Sequence, residues 1–181
     1  MAGSRCEGAR VPARRSRPPI IRQYRRGDEP QVWALTELTA PGSAAAPDMT
    51  LPVVPAPASP ADSADLADIE KTFLQSGGDF LVAEVDGHVV GAAGLLLSEE
   101  GQADVVRVTV HPSVRRQGIG TALMEAIEHR AVGLGIQRLK LDVGENSKDA
   151  IAFYLASGFH KVDEDDDTEQ RWDVKFFSKA I

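Results

Sequence analysis

The stretch "VHPSVRRQGIGTALMEAIEHRA", residues 110–131, leaves a strand at Pro112, passes two arginines and bends through Gly118 and Gly120 into a helix. The first turn of a helix carries four N–H groups without intrahelical partners and about half a positive charge, so it holds anions wherever side chains do not obstruct approach. Gly118 and Gly120 remove that obstruction, while Arg115 and Arg116 offer guanidinium forks suited to phosphate oxygens. The glycines alone are equally consistent with an ordinary turn that starts a helix. Spacing excludes two familiar phosphate loops. No lysine follows Gly120, as a Walker loop requires. The turn also comes late in the chain, after antiparallel strands, and not at the first strand-to-helix turn of a dinucleotide fold.

Working outward, "IIRQYRRGD" from Ile20 predicts a short strand, then a turn at Gly27 with Asp28 as helix cap and a helix over Glu29–Thr39. Residues 40–63 hold six of the eleven prolines and predict no regular structure, serving as a linker or a flap over a site. Helical spacing resumes over "SADLADIEKTFLQSGG", with Leu66, Ile69, Phe73 and Leu74 at three- and four-residue steps and Gly77–Gly78 as the stop. Asp86–Gly87 joins two apolar runs into a hairpin. "ADVVRVTV" reads as a further strand; unbroken alternation puts Val106, Val108 and Val110 on one side and Arg107, Thr109 and His111 on the other.

The helix after Gly118 carries Leu123, Met124, Ile127 and Ala131 on its inner stripe and ends near Gly133 or Gly135. "IQRLKLDV" predicts a strand with Ile136, Leu139, Leu141 and Val143 inward, and Ser147 caps a helix "KDAIAFYLASG" closed by Gly158. Two final strands flank the acidic "DEDDDTE". Strands and helices mix without strict alternation, which favours an α+β layered fold over a doubly wound sheet.

Composition narrows the function classes. The 181 residues, 43% hydrophobic, suit one compact domain with some irregular sequence. Cys6 is the only cysteine, so no structural disulfide, cysteine zinc cluster or cleft thiol for an acyl-enzyme is expected, and no metal site is read. No apolar run approaches the roughly 18 residues of a membrane span, so a membrane location is not expected and the cytoplasm is. The net charge of -7 divides unevenly, with eight arginines and Glu7 in residues 1–26. The acidic remainder argues against general nucleic-acid binding, leaving only the basic arm to supply it; that arm reads as a transit peptide, a nucleic-acid-binding arm or an unselected leader, the leader being the plainest because no amphipathic period is present.

Loop, preceding strand and following helix together resemble the GNAT acetyltransferase superfamily. Arg115, Gly118 and Gly120 match its R/Q-x-x-G-x-G/A motif, "ADVVRVTVHP" is similar to the strand before that loop, and Tyr154, Gly158 and Phe159 match the Y-x-x-x-G-F that ends its later helix. The resemblance covers residues 20–181 and implies an N-acetyltransferase domain over 19–181, behind an Arg/Pro-rich tail at 1–18. It implies a mixed, mainly antiparallel sheet of six or seven strands flanked by about four helices. It also implies acetyl-CoA as donor. The diphosphate then sits on the N–H groups of Arg116, Gln117, Gly118, Ile119, Gly120 and Thr121, with Arg115 beside it. In the family a bulge splays the strand at Val108, Thr109 and Val110 from the next, freeing backbone for the pantetheine arm and one N–H for the thioester carbonyl. Asn146 and Ser147 are further coenzyme contacts, although "NSKDA" is one residue longer than the family's N-x-x-A spacing.

The implied reaction is direct attack by a primary amine in a ternary complex. Tyr154 is the implied acid for the departing thiolate, although its place on a face with Ile151, Leu155 and Gly158 equally suits a core aromatic. For the base the choice stays open between Asp104, at a position the family often fills with glutamate, His111, and a chain of waters. The acceptor is a small amine, a polyamine or aminoglycoside, or a protein amino group. Arg107 is either a receptor for a substrate carboxylate or a support for the strand. A catalytically silent coenzyme-binding module and a nucleic-acid-associated factor acting through the basic arm are the rival readings. Trp172, Val174, Phe176 and Phe177 on the last strand suit either core burial or a homodimer contact.

Overall fold

A computed structural model describes residues 18–40, 55–162 and 174–181. Seven strands form one sheet in the order β1-β2-β3-β4-β5-β7-β6. They are β1 (Ile20–Gln23), β2 (Asp79–Val85), β3 (His88–Leu97), β4 (Gln102–Val110), β5 (Arg138–Gly144), β6 (His160–Val162) and β7 (Val174–Ala180). Only β4 and β5 run parallel among the described residues; every other pairing there is antiparallel. Among the described residues the three regular helices are α1 (Glu29–Thr39), α2 (Ile119–Gly133) and α3 (Lys148–Ala156). The expected α+β class and sheet are therefore present.

The sheet separates two cores. On one face α2 and α3 bury Leu123, Met124, Ile127 and Tyr154 against Leu81, Ala93, Val105, Leu139 and Leu141. On the other, α1 and the segment after it bury Leu35, Leu66, Ile69 and Phe73 against Phe80, Val82 and Ala92. The predicted inner stripe of α2 is buried throughout: Leu123, Ile127 and Ala131 are fully enclosed and Met124 is 1% exposed. Alternation in β5 gives Leu139, Leu141 and Val143 to the α2 core, which leaves Lys140 and Asp142 for the opposite face.

Three local readings are corrected. The segment expected as one regular helix is a 3₁₀ turn (Ala64–Leu66) followed by a π turn (Glu70–Leu74), where the Gln75 N–H reaches back to the Glu70 carbonyl. The predicted apolar positions are nonetheless inside: Leu66, Ile69 and Phe73 are all fully buried, and Phe73 meets Phe80 edge-on at 4.8 Å between ring centres. Asp28 and Ser147 stand at the N-cap positions of α1 and α3, yet neither side chain caps its helix. The Asp28 carboxylate instead accepts from the Arg25 N–H and pairs with Arg22. Burial raises its pKa, but Arg22 and that N–H outweigh the penalty and hold it below the usual carboxylate value.

Of the proline-rich insert, residues 55–63 are described, and Ala56 is buried on α1 with its N–H bonded to the Pro30 carbonyl. Residues 41–54, the acidic loop within 163–173 and the basic arm up to residue 17 lie outside the described residues, as do Trp172 and Cys6. Phe177 belongs to the main core, and Val174 and Phe176 are half-buried. No described helix is long and apolar enough to cross a membrane.

Candidate active site

The sheet opens at its parallel pair. β4 and β5 are in register only at Gln102–Arg138, Ala103–Leu139 and Asp104–Lys140; beyond Asp104 the two strands part, and β5 continues with β7 alone. On its other side β4 loses step with β3. Thr109 pairs with Ala92 and Val106 with Gly94, so Arg107 and Val108 together face the single residue Ala93. This is a β-bulge, with Arg107 at a φ of 56°. It overturns the expected alternation: Val106 packs in the α1 core, whereas Val108 and Val110 pack on the α2 side. Arg107 points toward the α1 side with Val106, where it binds Asp65 of this chain through two hydrogen bonds. Thr109 faces α1 as well, its hydroxyl 2.7 Å from that of Thr39.

β4 runs directly into the glycine loop. His111 starts a 3₁₀ turn (Pro112–Val114), and its Nδ1 accepts from the Ser113 N–H and contacts the Ser113 hydroxyl. A neutral imidazole that accepts at Nδ1 carries its proton on Nε2. That Nε2 is buried without a partner among the described residues, and burial, with Arg115 second, lowers the pKa of His111. His111 thus has no free lone pair for an amine proton and serves the loop. Arg115 folds back so that its Nε donates to the Val110 carbonyl at 3.0 Å, tying the loop to the strand end.

Among the described residues, nothing accepts a hydrogen bond from the main-chain N–H groups of residues 116 through 121; the first amide to be satisfied is that of Ala122, by the Gly118 carbonyl. The backbone is left-handed at Arg116 (φ 61°) and Gly118 (φ 82°), between an extended Arg115 and the start of α2 at Ile119. A Cβ on Gly118 would meet no protein atom within 4 Å, so its missing side chain serves the open space above the loop. Gly120 serves packing instead, since a Cβ there would come within 3.3 Å of Phe153; this glycine seats α2 against α3. Arg115 and Arg116 are exposed and form no ion pair among the described residues.

Two of the sequence-predicted groups, Tyr154 and Asp104, are linked electrostatically through a further side chain, Asp142. Tyr154, 8% exposed, packs edge-on with Phe153 and Phe159, and burial, aided by the charge of Asp142, pushes its pKa up to about 12. Asp104 sits where the strands part, and burial raises its pKa although Lys140 and the nearby Ser98 hydroxyl pull it down; Asp142 and Glu99 add to the rise. Asp142 acts electrostatically on both Tyr154 and Asp104 and is not among the residues that the sequence motifs single out. A signal for it exists, since inward Leu141 and Val143 leave Asp142 on the open face. Asn146 and Ser147 are exposed in the turn between β5 and α3. A separate cavity of about 350 Å³ between β1 and the end of α2, lined by Asp79, His129 and Arg130, shares no residue with this site.

Comparison with known proteins bears on the family and the fold. The family model "Acetyltransferase (GNAT) family" matches residues 47–159, from the insert through the glycine loop to the end of the α3 turn. The chain belongs to the GNAT acetyltransferase family. It is 38% identical over 81 residues to an IAA acetyltransferase of Azospirillum brasilense, a match covering 44% of this chain and 53% of that protein. The chain spans about half the length of the first curated relatives it matches. Its fold is that of a GNAT-family acetyltransferase of Staphylococcus aureus, with a TM-score of 0.73, 20% identity and coverage of 90% of this chain and 99% of the other. It is likewise similar to the Sinorhizobium meliloti phosphinothricin acetyltransferase solved in complex with AcCoA, with a TM-score of 0.69, 20% identity and coverage of 90% and 88%.

Proposed function

We propose that the chain transfers an acetyl group from acetyl-CoA to a primary amine by direct attack in a ternary complex. The observation that carries this reading is the loss of β4–β5 pairing after Asp104 and Lys140, continuous with a row of six unpaired amides at residues 116–121. An extended thiol arm needs free strand backbone, and a diphosphate needs converging donors; this chain offers both along one path. A solved relative in complex with AcCoA supports the choice of donor.

In this reading the amides of 116–121, with Arg115 and Arg116, hold the diphosphate. Backbone of Val108, Thr109 and Val110 pairs with the pantetheine arm, Asn146 and Ser147 line the far side, and the Val108 N–H polarises the thioester carbonyl. As the amine nitrogen forms its bond to the acetyl carbon, the carbon–sulfur bond breaks. Tyr154 gives its proton to the departing sulfur, and Asp104 takes the ammonium proton directly or through water. A phenol near pKa 12 stays protonated at neutral pH, as a donor must. Asp104 and Asp142 give the open end of the cleft a negative charge suited to a cationic amine.

The test is a panel of small amines, polyamines, aminoglycosides and peptide amino termini, screened for release of free coenzyme A. Acceptor-dependent release is the expected result. Tight acetyl-CoA binding with no release from any acceptor would make the chain a coenzyme-binding module instead.

A further inference from the structure

The bulge in β4 has an unusual occupant. Its first residue lies in the left-handed region, where a Cβ crowds the backbone and glycine is the ordinary choice, yet the residue is Arg107 at a φ of 56°. Such a conformation persists only where the surroundings over-determine it. Neither Arg107 nor Val108 has a partner in the β3 register, and pairing with β5 has already ended, so the sheet itself does not supply the restraint. The side chain does. Arg107 Nε lies 2.8 Å from Asp65 Oδ2 and Nη2 lies 2.5 Å from Oδ1, a two-pronged geometry that fixes the guanidinium plane as well as its position.

Asp65 is in turn immobilised. It lies in the 3₁₀ turn Ala64–Leu66, whose Leu66 is fully buried and whose Leu66 carbonyl accepts from the Trp33 indole at 2.8 Å. Both partners are partly shielded, with side-chain exposures of 32% and 24%, which favours a lasting pair over a fluctuating surface contact. The chain of restraint therefore runs from α1, through Asp65, to the backbone of the bulge.

We propose that the Arg107–Asp65 pair is a positioning device: it holds residue 107 in the left-handed conformation and so aims the Val108 N–H at the acetyl carbonyl. Arg107 acts through the backbone and touches no reacting atom. This inference rests on the acetyl-transfer reading of the cleft.

The test uses the full chain and four variants: Asp65→Ala, Arg107→Ala, Arg107→Gly and the double variant Asp65→Ala/Arg107→Gly. The three-bond coupling between the amide proton and Hα of residue 107 reports φ directly, and calorimetry with acetyl-CoA and steady-state rates supply the remaining readouts. In Asp65→Ala and Arg107→Ala the coupling should move toward extended values. In both, kcat should fall about tenfold to a hundredfold while the KM for acetyl-CoA holds, because a displaced oxyanion donor weakens the transition state alone. Glycine adopts a φ of +56° without a partner, so Arg107→Gly and the double variant should recover kcat to within about threefold of the natural chain. A purely structural ion pair would not be rescued by deleting the second partner as well. Unchanged coupling in Asp65→Ala, or Arg107→Gly as slow as Arg107→Ala, overturns the proposal. A natural chain that binds acetyl-CoA yet turns over no amine removes the acetyl-transfer reading instead, whereas full turnover by Asp65→Ala removes only the clasp.

Discussion

The two sides of the β4–β5 opening are built by different means. On the loop side, the proposed recognition rests on main-chain amides in six consecutive residues, with an open Gly118 and the exposed Arg115 and Arg116 beside them. On the side proposed for the acceptor, Asp104, Arg107, Thr109 and Asp142 come from two strands, and Arg107 and Thr109 are set by partners far away in sequence, Asp65 and Thr39. A site made of contiguous backbone is legible in a short motif. A site made of converging side chains depends on register, and register depends on the whole sheet.

That contrast fails first if the loop can be filled without consequence. Gly118→Glu should weaken acetyl-CoA binding by about a hundredfold or more, because it sets a carboxylate in the anion position and asks a Cβ residue to adopt a φ of 82°. Calorimetry alongside thermal unfolding separates loss of the site from loss of the fold; undiminished affinity would move the diphosphate elsewhere. Next in size is Tyr154→Phe, which should leave coenzyme affinity intact and lower the single-turnover rate on the order of a hundredfold. With its pKa near 12, Tyr154 stays protonated from pH 6 to 9, so the natural chain should show no alkaline loss from this group over that range. Equal rates for the two proteins across pH would take Tyr154 out of the chemistry.

Legibility in the sequence follows the same division. The bounds of α1, the Asp86–Gly87 hairpin and the buried stripe of α2 rest on local signals, and all three appear in the structure. The glycine loop is legible too, though Gly118 and Gly120 look alike in sequence and serve different ends, one facing open space and the other Phe153. The bulge is a different matter. An arginine in left-handed backbone leaves no mark on the local pattern, since its restraint comes from Asp65, 42 residues away. Reading "VVRVTV" as unbroken alternation therefore puts Val106 with Val108 and Val110 on one face, where the bulge divides them. The π turn escapes as well, because Leu66, Ile69 and Phe73 keep helical spacing and are all buried, so the apolar pattern carries no trace of it.

The acceptor side is sharpened by smaller effects. Asp104→Asn should slow transfer about tenfold near neutral pH. Its raised pKa puts the acid limb of the natural pH–rate profile above the ordinary carboxylate value of 3.8, and that limb should vanish in the variant. A limb that persists assigns it to another group, and the base with it. The smallest effect concerns stability. His111 has a lowered pKa in the fold, so above its ordinary value of 6.5 both folded and unfolded chains hold it neutral. As pH falls below that value, the unfolded chain takes up the proton first and stability is lost, down to the folded-state pKa. Asparagine can accept from the Ser113 N–H in the same way, so His111→Asn should keep the turn and show a shallower acid loss in chemical denaturation. Parallel profiles would mean that the buried imidazole is not the titrating group.

The central claim, that the backbone between residues 116 and 121 is the anchor for the donor, is open to a direct measurement: amide resonances followed while acetyl-CoA is added to the full chain. The expected result is a cluster of large shifts at 116–121, continuing into 108–110 on β4. Shifts gathered instead around Asp79, His129 and Arg130 in the cavity beside β1, with the loop unmoved, would contradict it.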